Sequence, residues 1–287
     1  MTYESATALR MALEQRLSTR SAETGISLDR LRRRVVFERI ISRLQANEPG
    51  AWVVKGGMAL EVRLSDRARL TKDLDLGLRD HITDGAELQE RLVEALAIDP
   101  DGDRFEIAVG PVKPLMEDGA GHLTWRVSVS ADLAGKLFGR IPVDISPRAA
   151  ELHLTDLVEL PNSLAFAGIT TSTIELVDIH RHAAEKFHGM QKDFGDRENT
   201  RVRDLVDIIL LIEYELIETP KLSIAVRQVW SERDGASPPQ TLPPPPDSWS
   251  DRYESLANEH ELETASFPAA VALTGALWSQ LSQAKEH

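Results

Sequence analysis

Lys55-Gly56-Gly57-Met58-Ala59-Leu60 and, ten positions on, Leu70-Thr71-Lys72-Asp73-Leu74-Asp75-Leu76 decide how this chain is read. Ahead of the glycines, Ala51-Trp52-Val53-Val54 reads as a short strand, and Met58 to Leu64 has the apolar spacing of a short helix. The unit is therefore strand, double-glycine turn, helix. Such a turn lets backbone approach a phosphate closely while the helix N-terminus offers its unpaired N–H groups. Thr71 to Arg79 then alternates with a period of two, which sets Asp73 and Asp75 on one strand face, roughly 6–7 Å apart, and Leu74, Leu76 and Leu78 on the other. Two neighbouring carboxylates repel unless a cation intervenes, and the hard ions Mg²⁺ and Mn²⁺ suit such oxygen ligands and serve phosphoryl chemistry. Singly, Gly-Gly reads as a plain turn and Asp-x-Asp as a strand end with solvated acids. Their order and spacing together are the uncommon feature.

Working outward, two helical patterns open the chain, the second with Leu28, Leu31, Val35, Ile40 and Leu44 as its apolar stripe and Ser27 and Asp29 at its start. A helix is predicted over 86–97, and strands over 105–109, 123–129 and 141–145. Beyond about residue 160 the strand signals fade, and helices are predicted at about 173–190, 200–217, 250–260 and 266–285. The proline-rich run from Ser237 to Pro246 reads as an extended crossing between helices. The expected architecture is α+β: an α/β core over residues 1–165 holding a mixed or antiparallel sheet, then a helical domain over 166–287.

The 287 residues allow one large domain or two modest ones, and 42% apolar with 28% charged residues describes an ordinary globular protein. With no cysteine there is no disulfide, thiolate nucleophile or iron–sulfur cluster, which fits a reducing compartment. The longest aliphatic run, Ile208 to Ile212, is far below the roughly 20 residues of a membrane span. The N-terminus lacks the apolar stretch of a signal peptide, so the expected location is the cytoplasm. A net charge of −13 argues against coating nucleic acid by charge alone but leaves room for a local basic surface. Of the 33 basic residues 25 are arginine, and five crowd between Arg30 and Arg39. They read either as a solvated helix face or as a phosphate-contacting surface.

The segments Gly56-Gly57-Met58-Ala59-Leu60 and Arg69-Leu70-Thr71-Lys72-Asp73-Leu74-Asp75-Leu76 resemble the first two motifs of the AbiEii toxin family, nucleotidyltransferase-like proteins that include the MenT toxins. The wider polymerase-β-like superfamily usually has Gly-Ser on the turn; Gly57 in the second position is typical of this branch. The resemblance implies that Asp73 and Asp75 hold metal, with Asp144 of Ile141-Pro142-Val143-Asp144-Ile145 as the matching third acid. It implies phosphate-binding roles for Gly56, Gly57 and Thr71. Glu175 to Lys186 resembles the helix that brings a lysine, here Lys186, to the nucleotide, and Arg201 to Ile208 resembles the fourth motif, whose aspartate is Asp204. Each of these also has a plainer reading: Lys186 as one exposed lysine among eight, Thr71 as a β-former, Asp204 and Asp207 as helix acids pairing with Arg201 or Arg203.

The implied activity is transfer of a nucleotide from an NTP, with Mg²⁺ or Mn²⁺, to tRNA. The protein would then be a toxin that blocks translation, with a separately encoded antitoxin as partner. The candidate RNA surface is the Arg30 to Arg43 helix, with Arg32 and Arg39 seven apart on one face. The alternatives are an enzyme that adenylylates a small molecule, as aminoglycoside-modifying transferases do, and a non-catalytic nucleotide-binding module.

Overall fold

The first two helices follow from their caps and their leucine spacing. Ser5 accepts from the backbone N–H of Ala8 to start α1 (Ala6–Thr24), and Gly25, at φ 72°, ends it. Ser27 accepts from Arg30 N to start α2 (Leu28–Asn47). Leu9, Leu13 and Leu17, four apart, are buried where α1 packs on α2. A computed structural model describes residues 3–69, 71–115, 123–148 and 152–283. Leu70 of the second motif and positions 284–285 of the last predicted helix lie outside the described residues.

The chain divides into two units, Met1–Ser65 with Leu70–Val177, and Asp66–Arg69 with Asp178–His287. The first holds α1, α2, α3 (Gly56–Leu64), α4 (Gly85–Ala97) and the sheet. Its strands are β1 (Trp52–Lys55), β2 (Leu74–Leu78), β3 (Phe105–Val109), β4 (Lys113–Pro114), β5 (Trp125–Leu133), β6 (Lys136–Pro147), β7 (Thr155–Glu159) and β8 (Thr173–Val177). They run in the order β3-β5-β6-β2-β1-β8-β7, with β4 beside β5. β2–β6 and β1–β8 are parallel and the other pairs antiparallel, so the sheet is mixed. The β5–β6 hairpin turns through Ala134 and Gly135, both at positive φ (55° and 67°), the two-residue geometry that matches strand twist. The second unit is helical: α5 (Ile179–Gln191), α6 (Val202–Glu213), α7 (Thr219–Asp234), α8 (Ser250–Glu259) and α9 (Phe267–Gln283).

The class is α+β, and several boundaries differ from the sequence reading. Residues 173–177 form a strand, because Ile174 and Leu176 point into the core while Thr173 and Glu175 do not, and β7 and β1 both pair with them. The helix begins only after Asp178, whose side chain accepts from Arg181 N at 2.8 Å. β2 starts at Leu74, so Asp73 precedes the strand. Helix α7, with Pro220 in its first turn, is absent from the sequence reading.

Glu38 of α2 is 2% exposed and its carboxyl accepts from Ser163 N (2.8 Å) and Ser163 Oγ (2.7 Å). Burial pushes its pKa from the ordinary 4.5 to about 7, against the nearby charge of Arg39 and the Ser163 hydrogen bonds. Between these values the folded protein holds a proton that the unfolded chain has lost. Stability is therefore fullest below the unfolded value and falls as pH rises through the folded one, by about 3 kcal/mol in all. Urea midpoints of wild type should drop between about pH 5 and about pH 8. Glu38→Gln, which mimics the protonated carboxyl, should flatten that drop; an equal drop in both proteins rules Glu38 out as its source.

Candidate active site

Strand register lines up the acidic residues of the sheet unit. Lys55 of β1 lies opposite Asp75 of β2, Asp75 opposite Asp144 of β6, and Asp144 opposite Arg126 of β5. Directly opposed residues share a sheet face. The row across four strands thus reads Lys55, Asp75, Asp144, Arg126, positive at its ends and negative in its middle. Arg126 Nε and Nη2 donate to the two oxygens of Asp144 at 2.7 and 2.6 Å, a bidentate pair. The guanidinium is held above its usual pKa, first by its hydrogen bonds to Asp144, with the charges of Asp144, Asp73 and Asp75 adding to them.

Gly56 begins α3 straight off β1 at φ 57°, a conformation that disfavours a side chain. A Cβ there would lie 1.7 Å from Asp75 Oδ2 and 2.6 Å from its Cγ. Glycine is required twice over, for the turn and for the carboxylate beside it. Gly56→Ala should cost about 1–2 kcal/mol in backbone strain and, by displacing Asp75, far more in activity than in stability. Urea unfolding beside a transfer assay checks this; comparable activity in the two proteins would show that Asp75 needs no such cradle.

Thr71 is buried, and its hydroxyl donates to Asp73 O (3.1 Å) and approaches Asp73 Oδ1 (3.4 Å). The hydroxyl is thus engaged with the backbone carbonyl and the carboxylate of Asp73 at the approach to β2. Asp73 and Asp75 offer the hard oxygens that Mg²⁺ and Mn²⁺ take, and Mg²⁺ is commonly bound through one or two carboxylates plus substrate phosphates. The pair fits one such ion. Asp144 has both oxygens on Arg126, and among the described residues no three His, Asp or Glu side chains gather to hold a metal.

In the helical unit, Lys186 of α5 is 6% exposed and donates to Asp207 Oδ2 at 2.6 Å and Asp204 Oδ1 at 3.4 Å, both on α6. Asp207, fully buried, also takes Nε and Nη2 of Arg69 at 2.7 and 2.9 Å. Burial works to raise the Asp207 pKa, but the charges of Lys186 and Arg69 and their hydrogen bonds outweigh it and hold the carboxyl below its ordinary range. Asp204 is shared with Arg201 Nη1 at 3.0 Å. A Cβ on Gly189 would stand 2.8 Å from Asp204 Oδ2, so a side chain there would push on the Asp204 carboxylate. Two histidines of α5 have separate neighbourhoods: His180 Nε2 accepts from Glu218 N (3.1 Å) and His188 Nε2 faces Asp234 Oδ2 (2.9 Å).

The family model described as the nucleotidyl transferase AbiEii toxin of type IV toxin–antitoxin systems matches residues 39–273. The chain belongs to the AbiEii family. It is thus a member of a nucleotidyltransferase toxin family. Its fold is similar to that of MenT4, the nucleotidyltransferase toxin Rv2826c of Mycobacterium tuberculosis H37Rv, with a TM-score of 0.58 at 18% identity, covering 95% of this chain and 90% of that one. A putative nucleotidyltransferase from H. pylori aligns at a TM-score of 0.43 and 17% identity over 90% of this chain and 95% of that one. A comparison with curated proteins returns no match.

Within this AbiEii protein the residues singled out from sequence fall into two groups, one in each unit. Gly56, Gly57, Thr71, Asp73, Asp75 and Asp144 belong to the sheet unit, and Lys186 and Asp204 to the helical one. The arginine helix needs correction. Arg39 is 2% exposed and is held by Asp101 (3.1 Å) and Asp103 (3.7 Å), so it does not present itself to RNA. Arg43 is likewise inside, on Asp103 at 2.8 Å. Arg32 remains part-exposed but donates to Glu14 at 2.7 Å. Arg126, Arg69, Lys55 and Gly189 are given no role from sequence; Arg69 and Lys55 stand inside quoted stretches, and the other two depend on partners fixed only by register or helix packing.

Proposed function

We propose that this AbiEii protein transfers a nucleotide from an NTP to tRNA and thereby blocks translation as the toxin of a toxin–antitoxin pair. The observation that carries the reading is Gly56, held at positive φ against the Asp75 carboxylate, in a chain of this family. In the reaction an acceptor hydroxyl bonds to the α-phosphorus as the bond to departing pyrophosphate breaks. A divalent ion, when bound, supplies charge stabilisation to that phosphoryl group, and Asp73 and Asp75 are the residues that would hold it. The glycine turn at Gly56 and Gly57 offers backbone N–H groups to phosphate oxygens. Lys186 has three donor hydrogens; Asp207 and Asp204 orient the ammonium, and the remaining donor is suited to a phosphate oxygen. Asp204 thus positions Lys186. The antitoxin is the expected partner, and the cytoplasm, where NTPs and tRNA meet, the expected place of action; among the described residues no helix is long and apolar enough to cross a membrane.

Burial of Arg39 favours a second reading, a small-molecule acceptor, because it removes part of the surface assigned to RNA. Incubation with each radiolabelled NTP, Mg²⁺ and total RNA, followed by a denaturing gel, separates the two. Label in the tRNA band supports the first reading. Label that appears only in a small-molecule fraction when candidate hydroxyl compounds are supplied supports the second.

A further inference from the structure

The Arg126–Asp144 pair does more than neutralise a charge. Both carboxylate oxygens of Asp144 accept from one guanidinium, at 2.7 and 2.6 Å, in the position where the parallel β2–β6 register would otherwise set Asp144 beside Asp75 as a further acidic ligand. The same guanidinium lies in the field of Asp73 and Asp75. Its side chain is 48% exposed, unlike those of Arg39 and Arg43, which are 2% exposed, so it can leave Asp144 without opening a cavity. Phosphate oxygens offer a guanidinium the same bidentate partner that Asp144 does.

We infer that Arg126 withholds Asp144 from divalent metal, so that the nucleotide-free protein binds its ion through Asp73 and Asp75 and gains Asp144 as a ligand only when Arg126 moves away. This rests on the metal-dependent reading given above. Arg126 is in that sense a positioning residue, which acts on the metal through a carboxylate.

The test is Mn²⁺ binding to nucleotide-free protein, followed by calorimetry, with the fold of each variant checked by circular dichroism. Arg126→Gln should tighten Mn²⁺ by about tenfold, because it adds one carboxylate to the ligand set. Asp144→Asn alone should leave Mn²⁺ affinity within about twofold of wild type, and Arg126→Gln/Asp144→Asn should return the tightened affinity to the wild-type value. Unchanged affinity in Arg126→Gln overturns the inference, as does a loss in Asp144→Asn as large as that in Asp75→Asn. Asp75→Asn is the separate control: if it leaves Mn²⁺ binding untouched, the metal reading itself fails and takes the inference with it.

Discussion

Asp75→Asn is expected to lower nucleotide transfer by about a thousandfold, equivalent to about 4 kcal/mol of lost transition-state stabilisation, and to leave the protein at least as stable as wild type. The two halves of this expectation have one cause. Asp75 stands opposite Asp144 in the β2–β6 ladder and two residues from Asp73, so neutralising it relieves repulsion within the row. The amide keeps the shape that fills the space beside Gly56. What disappears is the charge that a phosphoryl-transfer site requires. Single-turnover transfer beside scanning calorimetry measures both effects. A folded variant that transfers at the wild-type rate removes Asp75 from the chemistry, and one that unfolds early means that the carboxylate is structural.

Lys186→Ala has its largest effect elsewhere. Removing one partner of a buried pair leaves the other charge under-compensated, at about 3–5 kcal/mol; because Arg69 still holds Asp207 with two hydrogen bonds, about 3 kcal/mol is expected. For a chain of this size that lowers the unfolding midpoint by about 6–12 °C. Asp207 titrates below its ordinary range, so the stability it contributes is present above the unfolded carboxyl pKa and is lost as pH falls through the folded one. A scan at neutral pH is therefore the proper comparison. An unchanged midpoint would show that Lys186 is not part of the buried pair, while a lowered midpoint with unchanged KM for NTP would confine it to structure.

The glycine turn, the strand carrying Asp75 and the helix bearing Lys186 were legible because each depends on local spacing. What escaped depends on partners far along the chain. Thr173 to Val177 carries the two-residue period of a strand, yet it runs directly into a helix and takes on that helix's pattern when read in one window. Thr155 to Glu159 has little apolar alternation, since β7 is an edge strand and Leu157 on it is 73% exposed. Arg126 looked like any outward polar residue on an alternating strand; only the β5–β6 register sets it against Asp144. Arg39 and Arg43 looked like surface cations because nothing near them in sequence announces the acids at Asp99, Asp101 and Asp103 that take them inside.

The position of β1 in the sheet has a consequence for how the protein comes into being. β1 lies between β2, which follows it closely in sequence, and β8, which comes about 120 residues later. At about 5–20 residues per second of synthesis, the edge of β1 that β8 will cover stays open for about 6–24 s after Lys55 is made. Val53 and Val54, both buried in the finished sheet, belong to that open strand. In the last part of this interval, once Asp144 has been made, the ribosome-bound chain contains every acid of the β2–β6 row but not the strand that closes the sheet beside the glycine turn. The nascent protein is consequently at its most aggregation-prone before β8 is made, and it carries the acids of the β2–β6 row before it has the complete sheet to hold them.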